Sequence, residues 1–369
     1  MEKTVRIKFE VLQQFINECL CKAGVPEQDA HIVSEVLIEA DKLGIDSHGI
    51  NRLKPIYLDR IKDGILNPVT KTEIVRESPA TAVLDGNNGM GHVVSHKAMQ
   101  MAIDKAKKLG IGMTVVRNSS HYGIAGYYGL MAERQNMIGI TGTNARPSIA
   151  PTFGVENMLG TNPLTFVMPS DEDFPFFLDC ATSVSQRGKF EFYAKNDKPL
   201  PKGWVISRDG SEKTDAKQVL IDLLNGDAAL APLGGVGEET AGYKGYGYAT
   251  VVEILSAALQ GGQFLKALSG YQNDKKIPYR LGHFFIAINI ESFIDINEFK
   301  KITGDILRDL RNSELAPGAE RIYTAGEKEH VAFIDRSKNG VPLNHALIKE
   351  MQSLIKEYEL KGYDFLLKE

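Results

Sequence analysis

Apolar residues recur at helical spacing at Leu12, Phe15, Ile16, Cys19 and Leu20, and Gly24 followed by Pro26 ends the run. A second helix is expected from about Glu27 to Lys42, with Val33, Val36, Leu37 and Ala40 on one face. A polar turn, Asp46-Ser47-His48-Gly49, comes next, and a third helical stretch runs through Tyr57, Ile61 and Lys62 to Gly64. Beyond Pro68 the period shortens. β-rich runs appear at Thr81–Leu84, Met113–Val116, Met137–Thr141, Leu164–Met168, Phe176–Leu178 and His283–Ile290, several of them separated by Gly, Asn or Pro clusters. Helical spacing returns at His92–Leu109, Asp215–Leu224, Tyr248–Leu259, Ile296–Arg311 and Asn344–Leu360, and the Lys- and Pro-rich Asn196–Gly203 reads as an exposed loop.

Helical ends around a β-rich middle predict an α+β chain whose termini build one domain together. Residues 1–72 and 295–369 form the expected helical domain, and residues 73–294 the β-rich one. At 369 residues the chain is long enough for both, and 43% hydrophobic with 24% charged residues is ordinary for a globular protein. A net charge of −4 without a dense basic stripe argues against nucleic acid as a partner. Cys19, Cys21 and Cys180 cannot make a disulfide framework, which favours a reducing compartment. The first six residues lack the apolar run of a signal peptide, and no stretch reaches the roughly 18 uninterrupted apolar residues of a membrane span. A cytoplasmic protein without membrane contact is the expectation.

Two histidine centres carry the candidate chemistry. His48 can exchange a proton near neutral pH, Ser47 stands beside it, and Arg52 offers a planar cation suited to a carboxylate. Residues 48 and 52 share a face if the segment is helical or tightly turned. His121, in Ser119-Ser120-His121-Tyr122-Gly123, follows an expected strand directly; it reads either as a catalytic group or as a turn histidine bonded to backbone. His92 and His96 stand four apart on a helix, but Val93 breaks the His-Glu-x-x-His pattern, and packing explains them better than a metal. Cys19 falls on a core face.

No Gly-x-Gly-x-x-Gly joins a strand to a helix, and no Walker pattern is present. Asn144-Ala145-Arg146-Pro147 and Gly160-Thr161-Asn162-Pro163 are polar turns able either to present amides to phosphates or merely to reverse the chain. Asp179, at a strand end before Cys180-Ala181-Thr182-Ser183, could orient a histidine or a ribose, or cap a turn. Gly242-Tyr243-Lys244-Gly245-Tyr246-Gly247 precedes an apolar helix; open amides there beside Lys244 would suit a phosphate. Pro317–Glu320 and Ala325–Lys328 read as loops. A zinc hydrolase built on His48, His92, His96 and His121 is the reading from another class; it leaves Lys244 and the ordered glycine turns unexplained.

Six of these motifs, in one order along the chain, resemble the malate/L-lactate dehydrogenase family of the sulfolactate-dehydrogenase-like type: Asp46–Gly49 with Arg52, Ser120–Gly123, Gly160–Pro163, Leu178–Ser183, Gly242–Gly247 and Ala325–Glu327. The likeness runs from about Leu12 to Pro342. It implies a non-Rossmann cofactor domain on a largely antiparallel sheet, a helical domain from both termini and a homodimer. It implies NAD, with NADP open, and a small 2-hydroxy or 2-keto acid, malate first, with lactate, sulfolactate or ureidoglycolate as alternatives. Carried over by position, His48, His121, Ser47 and Asp179 belong to the catalytic group, with Arg52 as carboxylate anchor. Asn144, Asp179, Cys180, Ala181, Thr182, Lys244, Gly326, Glu327 and Lys328 belong to the cofactor, Arg187 lies toward the adenosine ribose, and Arg146 is a candidate second anchor. No metal is implied.

Overall fold

A computed structural model describes residues 4–367, so the outermost residues of both expected terminal segments lie outside the description. Helix α1 (Phe9–Lys22) buries Leu12, Phe15, Ile16, Cys19 and Leu20, the face its period defines. Helix α2 (Glu27–Lys42) starts after Pro26, whose fixed φ suits a helix entry, and buries Val33, Val36, Leu37 and Ala40. Their shared core also takes Ile348, Met351, Leu354 and Ile355 from the helix His345–Glu357. Val5–Ile7 pairs antiparallel with Val341–Leu343, so the two ends of the chain close one helical core.

The stretch after the polar turn is less regular than its pattern suggests. Ile50–Arg52 is a single 3₁₀ turn, Leu53–Leu58 a π turn, and only Asp59–Lys62 is α-helical. Pro55 lies within the π turn, where it has no N–H to donate and crowds the preceding carbonyl.

The central sheet has seven strands: β1 (Glu73–Glu77), β2 (Thr81–Asp85), β3 (Ile111–Ser119), β4 (Met137–Thr143), β5 (Leu164–Met168), β6 (Phe176–Cys180) and β7 (Leu281–Asn289), in the order β1-β2-β3-β7-β4-β5-β6. Every neighbouring pair is antiparallel except β2 with β3, which the helix α3 (Gly91–Leu109) connects. A largely antiparallel sheet is therefore what the chain forms. Alternation on β7 sorts its two faces: Phe285 and Ala287 pack under α3 and α4 (Gly126–Glu133), whereas Phe284 packs with Val252 of α5 (Gly242–Ala257) on the other side.

Between β6 and α5 the chain builds a satellite lobe. The helices Arg187–Lys195 and Ala216–Asn225 and the strand pair Val205–Ser207 with Ala228–Leu230 close over Phe190, Val205, Val219 and Leu230. Helix α6 (Ile296–Arg311) lies against the β5–β6 hairpin, with Arg308 bonded to Asp171 and Glu172, and Arg311 to Glu172. Helix α7 (Glu327–Asn339) begins where the composition reads as loop. Among the described residues, no helix is long and apolar enough to cross a membrane.

Candidate active site

The turn after α2 is held from two sides. Asp41 turns its carboxylate inward to accept the Ile50 N–H at 2.9 Å, and a Cβ at residue 49 would overlap that carboxylate, which is why glycine stands there. Arg336 of α7 donates to the Asp41 carbonyl at 2.6 Å and to both oxygens of Asp46 at 2.5 and 3.0 Å. Burial raises the Asp41 carboxyl to about 7, against the opposing effect of the Ile50 amide. Ser47 Oγ lies 2.8 Å from His48 Nδ1, leaving Nε2 for a ligand. Arg52 donates Nε to the Ser47 carbonyl at 2.5 Å; its outer nitrogens have no partner among the described residues.

His121 arrives from the end of β3. Ser120 Oγ donates to the Gly89 carbonyl and accepts from the Gly91 N–H, both at 2.9 Å, which fastens the segment to the start of α3. His121 Nδ1 lies 2.6 Å from Tyr57 Oη and accepts the Gly123 N–H at 3.3 Å. A backbone N–H only donates, so Nδ1 is an acceptor and the ring proton is assigned to Nε2. Burial raises the Tyr57 phenol and keeps it an O–H donor.

The His48 and His121 rings stack with centroids 5.6 Å apart and planes 16° from parallel. Burial, then the Arg52 charge, lowers His48 to about 4. Burial, then His48 and Arg60, holds His121 well below its ordinary value. Both imidazoles are therefore neutral at pH 7, one able to accept a proton and the other to donate a hydrogen bond.

Asp179 is the next-to-last residue of β6, an edge strand, and its buried carboxylate accepts the Gly126 N–H at 2.7 Å and the Thr165 hydroxyl at 2.8 Å. Desolvation raises it more than these bonds lower it. Cys180 is exposed beside it. Thr182 Oγ1 donates to the Asn162 carbonyl at 2.9 Å, and the Thr182 carbonyl accepts from Leu233. Gly245 packs on that same Leu233 so closely that a Cβ would overlap its backbone. The glycine run is thus the first turn of α5 pressed onto a loop, not a free stretch before a later helix, and exposed Lys244 stands on it. Gly326 packs against Pro175 and Phe177 at the start of β6, while Glu327 is bonded to Arg321 and Lys328 lies 5.0 Å from the Tyr323 ring. The cofactor candidates therefore gather at two places along the β6 edge. Asn144 is apart from both: its carboxamide is buried, donating to the Gln263 carbonyl and accepting from the Gly282 N–H.

Tyr57, Asp41, Arg336 and Arg60 are the site residues that sequence reasoning missed. Tyr57 reaches across 64 positions to His121, and Arg336 across 290 to Asp46, distances no local pattern encodes. Arg60 lies 4.2 Å over the Tyr279 ring. The zinc arrangement does not assemble: among the described residues, no three His, Cys, Asp or Glu side chains converge, and His92 packs against Tyr57 at 4.7 Å.

Two neutral imidazoles beside a guanidinium, on a largely antiparallel sheet without a Rossmann turn, are what a dehydrogenase of 2-hydroxy acids outside the dinucleotide-fold class would need. Residues 7–352 match the family described as malate/L-lactate dehydrogenase. The malate dehydrogenase of Pyrococcus horikoshii is 43% identical over 361 residues, with 98% of each chain covered. The L-sulfolactate dehydrogenase of Methanocaldococcus jannaschii is 39% identical over 360 residues, covering 98% of this chain and 99% of that one. The crystal structure of malate dehydrogenase from Entamoeba histolytica superposes with a TM-score of 0.94 at 48% identity, covering 98% of this chain and 99% of that chain. The chain belongs to the malate/L-lactate dehydrogenase family.

Proposed function

We propose that this enzyme interconverts malate and oxaloacetate with a pyridine nucleotide, His48 carrying the proton and Arg52 holding the substrate carboxylate. The observation that carries this reading is the stacked pair of neutral imidazoles beside a guanidinium with free outer nitrogens. In the oxidation, His48 Nε2 takes the C2 hydroxyl proton. His121 Nε2–H donates to the same oxygen as it becomes a carbonyl, and the Arg52 fork fixes the neighbouring carboxylate. When bound, the nicotinamide supplies the hydride acceptor.

A dinucleotide fits the β6 edge. Ser185, five residues past Cys180, has a buried hydroxyl with no partner among the described residues, and open space surrounds the Cβ position of Gly188. Asp179 through Thr182, with Lys244 and Gly326 through Lys328, would hold the group. NAD is favoured over NADP because Arg187 is already paired with Glu191 at 3.1 Å, a carboxylate that would repel a 2′-phosphate. A cytoplasmic location is consistent with three free cysteines. A homodimer is supported by an uncovered apolar face: Tyr248, Val251 and Ile254 are exposed along α5, beside an apolar groove of about 490 Å³ that contains neither site histidine.

Oxidation of NADH and NADPH with oxaloacetate, pyruvate, sulfopyruvate and the keto acid of ureidoglycolate tests the proposal. Oxaloacetate with NADH is expected to give the largest specificity constant. A larger value for another acid would replace malate as substrate, and turnover of none would end the dehydrogenase assignment.

A further inference from the structure

Arg60 is a guanidinium without a carboxylate. The groups that act on it are the Tyr279 and Tyr57 phenols and two other guanidiniums, Arg146 and Arg52, with no Asp or Glu among them. It follows Tyr57 by three residues, and Tyr57 is the side chain hydrogen-bonded to His121. Its guanidinium carbon lies 4.2 Å from the centre of the Tyr279 ring, a cation–π contact that holds the group in place. Arg60 and Arg52 both act electrostatically on His121, so both charges reach the proposed acid-binding site. Among the described residues, the half-buried Arg52 and Arg60 have no carboxylate within salt-bridge distance, whereas Arg117, Arg308, Arg311 and Arg336, equally or more buried, each pair with one; Arg146, also unpaired, is exposed. Burial and the Arg146 and Arg52 charges both press Arg60 below its ordinary value. A half-buried guanidinium without a carboxylate partner, repelled by other guanidiniums, is costly unless a ligand supplies the anion.

One cation suffices for the carboxylate next to the reacting carbon. We propose that Arg60, with Arg146 beside it, binds a second acidic group on the substrate and thereby selects doubly anionic 2-hydroxy acids over singly anionic ones. Arg52 takes the carboxylate at C1, adjacent to the oxygen that His48 and His121 share. Arg60 and Arg146 take the carboxylate, or a sulfonate of similar charge and size, at the far end. This assignment rests on the reading of His48, His121 and Arg52 as the acid-binding site.

The test compares oxaloacetate with pyruvate in the wild type and in Arg60→Gln, Arg60→Lys and Arg146→Gln. The ratio of their kcat/KM values is expected to fall about 10- to 100-fold in Arg60→Gln, the range for losing a charge-assisted hydrogen-bonded pair. Arg60→Lys keeps the charge without the fork and should recover part of the ratio, and Arg146→Gln should lower it by less. An unchanged ratio, with both substrates falling together or neither falling, overturns the proposal. Binding of succinate and butyrate, read by thermal shift, needs no turnover. The wild type should be stabilised by succinate at concentrations where butyrate does nothing, and Arg60→Gln should lose the difference. If no 2-keto acid is turned over while succinate preference persists, the enzymatic reading fails and the diacid site stands. If keto acids are turned over without diacid preference, the diacid site fails alone.

Discussion

At the residue scale, two histidines receive different tasks from the groups on their Nδ1 atoms. His121 Nδ1 is occupied by the Gly123 N–H and faces Tyr57 Oη, which leaves a fixed Nε2–H donor. His48 Nδ1 faces only the Ser47 hydroxyl, which can accept, so its Nε2 is free to take a proton. On the proposed assignment, His48, lowered to about 4 in the free enzyme, would be ready as the base for malate oxidation across the neutral range. Oxaloacetate reduction requires the protonated form, so its kcat/KM should rise about tenfold for each pH unit lowered between pH 8 and pH 5. A profile of kcat/KM against pH in both directions checks this; a reduction rate independent of pH would mean that His48 is not the proton donor.

The same scale shows what was legible beforehand. His48, Arg52 and His121 could be singled out because their residue types are scarce and chemically distinctive. Tyr57 could not, since a tyrosine in a helical stretch reads as core, and its partner lies 64 positions away. Asp41 likewise looks like the ordinary polar end of a helix until its carboxylate is seen under Gly49.

At the element scale, the turn that carries His48 is a joint between α2 and α7. Arg336 is 10% exposed in its side chain while Asp46 is 58% exposed, so the ion pair is partly screened and the carbonyl of Asp41 is the drier partner. Arg336→Met should cost about 1–3 kcal/mol in urea unfolding. It should also lower kcat more than it raises KM, because His48 loses its support while Arg52 keeps its bond to Ser47. Loss of stability with unchanged kcat would make Arg336 a purely structural residue.

Elements with one buried face were readable from their period, as with α1, α2 and α6. Helix α4 was missed because Gly126 through Ala132 are all buried, leaving no polar face to set a period. Helix α7 was missed because its first turn, Glu327-Lys328-Glu329, is polar and follows a glycine. Strand β1 is exposed at every position, so no alternation marks it. The glycine run at 242–247 was placed ahead of the apolar helix because glycine disfavours helix; the contact with Leu233 explains its place inside α5.

At the scale of the whole molecule, burying histidines makes stability depend on pH. Burial lowers His92 and His283 to about 3 and His48 to about 4, all below the unfolded value near 6.5. Each contributes stability that is present above that unfolded value and lost as pH falls toward the folded one. Asp41, raised to about 7, acts in the opposite sense: its contribution is present below its unfolded value and lost as pH rises through 7. His92 isolates one such group, since neither ring nitrogen has a hydrogen-bond partner among the described residues. The stability of His92→Leu relative to the wild type should be about 2 kcal/mol more favourable at pH 5 than at pH 7.5. Equal differences at the two pH values would show that His92 is not held neutral by the fold.

The central claim is that a single acid–base pair, His48 with His121, serves a 2-hydroxy-acid dehydrogenase. The most direct measurement is oxaloacetate-dependent NADH oxidation by the wild type and by His48→Asn, with NADH binding followed separately by fluorescence. Rapid turnover by the wild type, its loss in the variant and nearly unchanged NADH binding are the predicted results. Near-normal turnover by His48→Asn would contradict the account.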